Sequence, residues 1–182
     1  GRVSLAAMSP DGKYAALVET RGAKDTVFVH QLATGTSLAV LPPSDTGYFG
    51  LAFSPDSNYV YASVRGARVL TRVPSLGGQA LTIREDVRGP IAFAPDGRRF
   101  AFFTTDQKSL SIRVAEADGS GSRPLVVHGT DNPPGRRHSW SPDGTLIAAV
   151  SRSRVLIIDV ATAKETALEV KGWNFVESVA WL

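Results

Sequence analysis

The sequence has no cysteine and a single methionine among its 182 residues. Without thiols there are no disulfides and no thiolate metal sites, although the compartment stays open because many exported proteins also lack cysteine. No apolar run approaches the ~18 residues that span a bilayer, so no membrane insertion is expected. No stretch of a dozen residues repeats apolar positions at three- and four-residue spacing, which argues against a long amphipathic helix. A glycine-rich kinase loop, a kinase catalytic loop, a magnesium-binding motif and a Gly-x-Ser-x-Gly elbow are all missing. The chain therefore reads as non-catalytic, with no cofactor. An excess of one charge is missing too, since 20 Lys and Arg face 17 Asp and Glu for a net charge of +3. Nucleic-acid binders gather their cations on one face. Here the nearest approach is Arg136-Arg137-His138, and no nucleic-acid partner is expected.

What the chain does have is one turn in four near-copies. These are Met8-Ser9-Pro10-Asp11-Gly12, Phe53-Ser54-Pro55-Asp56-Ser57, Phe93-Ala94-Pro95-Asp96-Gly97 and Trp140-Ser141-Pro142-Asp143-Gly144. Proline pre-sets φ at the second turn position, aspartate bonds its own backbone in the third, and glycine accepts the positive φ that follows. Each copy lies between two short apolar runs and reads as a hairpin. The turn prolines are 45, 40 and 47 residues apart, and a repeat of ~40–47 residues with four strands per unit marks a β-propeller blade.

The expected fold is all-β, with four-stranded antiparallel blades over approximately 1–43, 44–86, 87–130 and 131–172 and the first strand of a further blade over 173–182. Val176–Leu182 repeats the run that precedes each turn, with Trp181 where Met8, Phe53, Phe93 and Trp140 fall. Those side chains are expected to pack blade on blade. The start, Gly1-Arg2-Val3-Ser4, shows neither an initiator methionine nor a signal-peptide pattern, so the chain reads as a piece of something longer. Four blades and a strand would leave two blade faces open, which predicts either a continuing chain or self-association through those faces.

The polar residues give few chemical leads. His30 and His128 lack metal-ligand spacing and read as surface or turn residues. His138 aligns with the apolar Ala6, Leu51, Ile91 and Val179, which predicts a half-buried, hydrogen-bonded ring; the alternative is a ring facing the central channel. Asp118-Gly119-Ser120-Gly121-Ser122 superficially suggests calcium, but one carboxylate cannot supply six to eight oxygens. It reads as a hairpin loop.

The Ser-Pro-Asp-Gly repeat resembles the WD-repeat-like β-propeller of TolB and its relatives, over essentially the whole chain. Ser57 for glycine and Ala94 for serine are mild departures. Tyr48–Tyr61, Arg72–Gly78, Ala117–Gly121 and Val179–Leu182 are similar to stretches of large bacterial signalling proteins. Frequent in acidobacteria, those proteins join a serine/threonine kinase or winged-helix domain to a C-terminal propeller. The resemblance implies a sensor or interaction module with a protein or peptide partner, and favours an extracytoplasmic or periplasmic place, with a cytoplasmic one as the alternative. It carries over no kinase activity. The competing reading is the substrate-gating propeller of a prolyl-oligopeptidase-like hydrolase whose catalytic domain is absent.

Propellers usually bind where the loops joining strand b to c and the segments leading into strand a gather around the channel. Here these include Arg21–Asp25, Ser44–Tyr48, Arg65–Arg68, Glu85–Gly89, Asp106–Ser109, Thr130–Arg137 and Ser151–Arg154. Loops on a rigid scaffold often carry recognition, and their arginines point to an acidic peptide or an anionic ligand. The candidate binding residues are Tyr48, Arg88, Arg136, Arg137 and His138.

Overall fold

A computed structural model describes residues 1–106, 108–129, 137–151, 153–169, 172 and 176–181. The described residues form strands and turns with no helix. The first sheet joins β1 (Arg2–Met8), β2 (Tyr14–Arg21), β3 (Lys24–Gln31) and β4 (Ser37–Ser44). The second joins β5 (Tyr48–Phe53), β6 (Tyr59–Val64), β7 (Val69–Pro74) and β8 (Leu81–Arg84). The third joins β9 (Arg88–Phe93), β10 (Arg99–Thr105), β11 (Ser109–Glu116) and β12 (Arg123–Gly129). The fourth joins β13 (His138–Trp140), β14 (Leu146–Ser151), β15 (Arg154–Asp159) and β16 (Glu165–Glu169). In every sheet the strands neighbour one another in sequence order and pair antiparallel, as in β2 on β3 and β14 on β15. These are the expected blades a-b-c-d.

In the first blade β4 runs through Pro42 and Pro43 to Ser44, which pairs with Asp25. Proline lacks the N–H donor but is tolerated on an edge strand, and β4 is the outer edge of its sheet. At the other end of the chain, Val176–Trp181 carries no assigned strand. Trp181 nonetheless donates its indole N–H to Ser139 O at 3.1 Å, as Trp140 donates to Ala92 O at 3.0 Å. Ala92 and Ser139 hold the same place in successive blades, so the contact repeats one blade on.

The chain divides into two compact units, Gly1–Pro90 and Ile91–Leu182, each with its own core. In the first, Ala16, Val18, Val27 and Val29 cluster with Tyr48, Phe53, Val60 and Ala62 of the next blade. In the second, Ala101, Phe103, Ile112 and Val114 cluster with Trp140, Ile147, Ala149, Leu156 and Ile158. Alternate residues of the middle strands thus fill the space between sheets, while the opposite alternation serves the other face.

The Ser-Pro-Asp turns repeat one bonding scheme. The Ser9 hydroxyl donates to Asp11 Oδ1 at 2.7 Å and accepts the Tyr14 amide at 2.8 Å, and Asp11 Oδ1 also accepts the Lys13 amide at 3.1 Å. Ser54 with Asp56 and Ser141 with Asp143 repeat all three bonds. Ala94 has no hydroxyl, and Asp96 keeps the amide bond alone, from Arg98 at 3.0 Å. Gly12, Gly97 and Gly144 take φ of 70°, 70° and 71°, and Ser57 takes 63°. At Gly144 an added Cβ meets only Pro95 Cδ, at an ordinary 3.5 Å, so backbone strain decides the cost of substitution. Gly144→Val is expected to destabilise by about 1–3 kcal/mol, and an unchanged chemical-denaturation midpoint contradicts this.

Candidate functional site

Within each unit the two ends of the blades differ. The turn end holds the Ser-Pro-Asp hairpins and the c–d turns; the loop end holds the b–c loops and the segments leading into strand a. In the first unit, loop-end segments 21–25, 44–48, 65–68 and 84–88 carry six basic and four acidic residues, whereas Lys13 stands against Asp11 and Asp56 at the turn end. In the second unit the described loop-end residues Lys108, Arg137 and Arg154 are balanced by Asp106, Glu169 and Glu177, with Glu169 Oε1 3.8 Å from Arg154 Nε. Its turn end is acidic in balance, with Asp96, Glu116, Asp118, Asp143, Asp159 and Glu165 against Arg98, Arg99, Arg123 and Lys164.

The Ser-Pro-Asp carboxylates and Asp159 are engaged by their own hairpins. The Ser9 hydroxyl, then the Lys13 amide, holds Asp11 below the ordinary carboxyl range. Ser54 does the same to Asp56, and Ser141 to Asp143. The Thr162 amide and hydroxyl lower Asp159. At the loop end, the Lys108 amide and the Ser109 hydroxyl lower Asp106. These groups titrate lower in the folded chain than in the unfolded one, where aspartate titrates near ~3.9. Their contribution is therefore fully present above that value and is lost as pH falls through the lower, folded values. The urea midpoint is expected to hold from pH 7 to about 5 and to fall below about 4, with a smaller fall in Ser141→Ala. A midpoint that stays constant down to pH 3 contradicts this.

Of the five candidate binding residues, Tyr48 and Arg88 open equivalent inner strands, β5 and β9, in the first unit. Tyr48 is buried; burial, then the charge of Asp25, raises its phenol above the ordinary value. Arg65 donates through Nη2 to Tyr48 O at 3.3 Å and lies 5.5 Å from the Phe49 ring centroid. Arg88 is half-buried. In the second unit Arg137 is exposed, and its carbonyl accepts the Val150 amide at 3.1 Å. His138 is buried at 9% exposure; its Nε2–H donates to Ala101 O at 2.9 Å, and its ring meets Phe103 edge-on at 4.9 Å. Because a carbonyl only accepts, this bond puts a proton on Nε2. Arg136 lies outside the described residues, as does most of the Thr130–Arg137 loop.

The other two histidines sit inside strands. His30 Nδ1 is 2.6 Å from Ser37 Oγ, and its Nε2 is 3.6 Å from Glu19 Oε1. His128 Nε2 is 2.7 Å from Glu165 Oε2. Asp118 accepts the Ser120 amide at 2.8 Å within its hairpin. Among the described residues no group of three or more His, Asp or Glu is placed to hold a metal ion, and no helix is long and apolar enough to cross a membrane.

Sequence reasoning missed two backbone features of the loop end. Arg68, with φ of 55°, and Asp86, with φ of 57°, are left-handed without being glycine, and the Val87 amide donates to Arg68 O at 2.8 Å. Neither residue type marks its own conformation, so only the fold exposes them.

No family model matches the sequence, and no curated protein matches it. Solved structures do. TolB from Acinetobacter baumannii is 23% identical with a TM-score of 0.73, over 95% of this chain and 45% of that one. A structure of the nidogen/laminin complex is 14% identical with a TM-score of 0.77, over 97% and 67%. The Cps50 (Swd1) β-propeller domain of Myceliophteria thermophila is 14% identical with a TM-score of 0.72, over 97% and 57%. The chain thus spans 45% of the length of the first. At these identities the likeness shows the fold, which is that of a β-propeller built from four-stranded antiparallel blades.

Proposed function

We propose that the chain is a non-catalytic protein-binding propeller, the sensor or interaction module of a larger bacterial signalling protein. The charge division between blade ends carries this reading. The Ser-Pro-Asp carboxylates are held by their own hairpins, whereas the loop end of the first unit presents six basic against four acidic residues on short loops, which favours a partner with an acidic surface. The nidogen/laminin complex is an instance of a similar fold found in a complex. The segments similar to acidobacterial kinases and winged-helix regulators support the signalling context. Arg88 and Arg137, together with Arg136, are the proposed contact residues. Tyr48 and His138, both buried, anchor the starts of their own strands.

A photo-crosslinking side chain at Arg137, compared with one at Lys164 on the turn end, tests the reading in bacterial cells. A discrete protein adduct from position 137 and none from 164 is expected; adducts only from 164, or none from either, overturn it. Self-association is a separate proposal. Met8 is 59% exposed at the register place where Phe53 and Trp140 are each 6% exposed, so the first blade shows an uncovered packing face. Light scattering of the 182-residue chain is expected to show dimers, and a stable monomer at micromolar concentration contradicts this.

A further inference from the structure

We infer that the free edge of β4 and the pocket beside it form a further binding surface, which takes an extended, uncharged segment of a partner protein as an added strand. This surface is separate from the loop end, and neither reading needs the other. Each sheet has its strand d at one edge. Charge and proline keep other chains off such an edge. Here β8 ends on Arg84, β12 opens on Arg123-Pro124, and β16 has glutamate at both ends. In β4 the residues Ser37-Leu38-Ala39-Val40-Leu41 carry neither charge nor proline, and the two prolines come only after them.

The Gln31 amide donates to Thr36 O at 2.9 Å, so Thr36 is turned toward β3. Ser37, Leu38 and Ala39 then pair in unbroken register with His30, Val29 and Phe28. Alternation in an antiparallel ladder turns Leu38 toward β3, and Ser37 and Ala39 outward. Both outward residues are exposed, and among the described residues no strand pairs with that edge. Val40 falls out of register before Leu41. The flat edge is therefore 36–39, a length of ~13 Å at ~3.3 Å per residue.

A cavity of about 200 Å³ opens beside this edge. Thr36, Ser37 and Leu38 line it from the edge, Val29 from β3, and Ser75 and Leu76 from the turn after β7. That turn is closed by the Gly77 amide, which donates to Pro74 O at 3.0 Å, and a Cβ added at Gly77 would lie 3.0 Å from Leu38 Cδ2. The cavity is smaller than the ~300–1,000 Å³ of small-molecule clefts and suits one aliphatic side chain. In an antiparallel added strand, the residues opposite Ser37 and Ala39 make the backbone bonds. The residue opposite Leu38 turns its side chain to the face of Leu38, where the cavity lies, which is how strand addition combines affinity with selection. An edge of ~13 Å buries far less than the ~1,200 Å² of a stable association between folded proteins. The occupant is therefore a flexible segment rather than a second copy of this chain.

The test is fluorescence anisotropy of a labelled heptapeptide with the 182-residue chain. The peptide alternates threonine and leucine between two terminal lysines, whose charge keeps it off the basic loop end. N-methylation of its threonines removes the donors aimed at β4 and is expected to weaken binding about tenfold or more; N-methylation of its leucines, whose amides face away, is expected to weaken it far less. Ala39→Pro removes an outward donor without touching a bond to β3, and is expected to weaken binding about tenfold or more. Leu76→Asp puts a charge on the cavity wall at a residue that is 69% exposed, so the fold holds and binding is expected to fall similarly. Leu168→Asp, at an exposed leucine of β16, is expected to leave binding unchanged. No binding by the parent chain, equal effects of the two N-methylations, or unchanged affinity in Leu76→Asp overturns the inference. Dimers of the parent chain that dissociate in Ala39→Pro would give the edge to a second copy and overturn the assignment of a partner segment.

Discussion

Phe103→Ala is expected to cost about 3–5 kcal/mol, the range for emptying a fully buried phenylalanine site. Phe103 is fully buried. It belongs to a cluster with Leu110, Ile112, Ile147, Ala149, Leu156 and Ile158 from the strands on either side. Its ring also meets the His138 imidazole edge-on at 4.9 Å. Truncation therefore leaves a cavity beside a buried polar ring, which water enters at the expense of packing. Domains are stable by only ~5–15 kcal/mol, so the loss is a large share of the total. Phe103→Leu, which keeps most of the volume, is expected to cost less. Phe28→Ala, at a half-buried place in β3, serves as the comparison. Urea denaturation reads all three, and equal midpoints for Phe103→Ala and Phe28→Ala contradict the assignment of the core.

Gly50→Val should have an effect of comparable size by the opposite route. A Cβ at Gly50 would sit 2.5 Å from Pro90 Cβ and 2.7 Å from Pro90 Cα. Gly50 and Pro90, register-equivalent residues of the first unit, thus approach closely. Overpacking usually costs ~1–3 kcal/mol, and here the obstacle is a proline ring and backbone that cannot swing aside. A cost of about 3 kcal/mol or more is expected. Pro90→Gly in the same chain removes the nearer atom but leaves Cα, so it should restore part of the loss. A Gly50→Val midpoint equal to that of the parent chain contradicts the close approach.

These two sites show what was legible in the sequence. The blades were legible because the turn chemistry is local: Ser9, Pro10, Asp11 and Gly12 specify their hairpin through bonds and dihedrals spanning a few residues. His138 was legible as a half-buried, hydrogen-bonded ring because its register matched apolar positions in other blades, and the structure buries it further. Gly50 left no such mark, since Pro90 lies 40 residues away and a glycine inside a strand can serve many ends. Arg68 and Asp86 were hidden because their left-handed backbone is imposed by the junction of two loops. The candidate loops could be named from the repeat, but the bond from the Val87 amide to Arg68 O that ties two of them could not.

Amide hydrogen exchange of the 182-residue chain, with and without hexaglutamate, tests most directly the division between a structural turn end and a binding loop end. The account predicts added protection at 65–68 and 84–88, and none at the turns 9–12, 54–57, 94–97 and 141–144. Protection centred on those turns, or spread evenly over both ends, contradicts it.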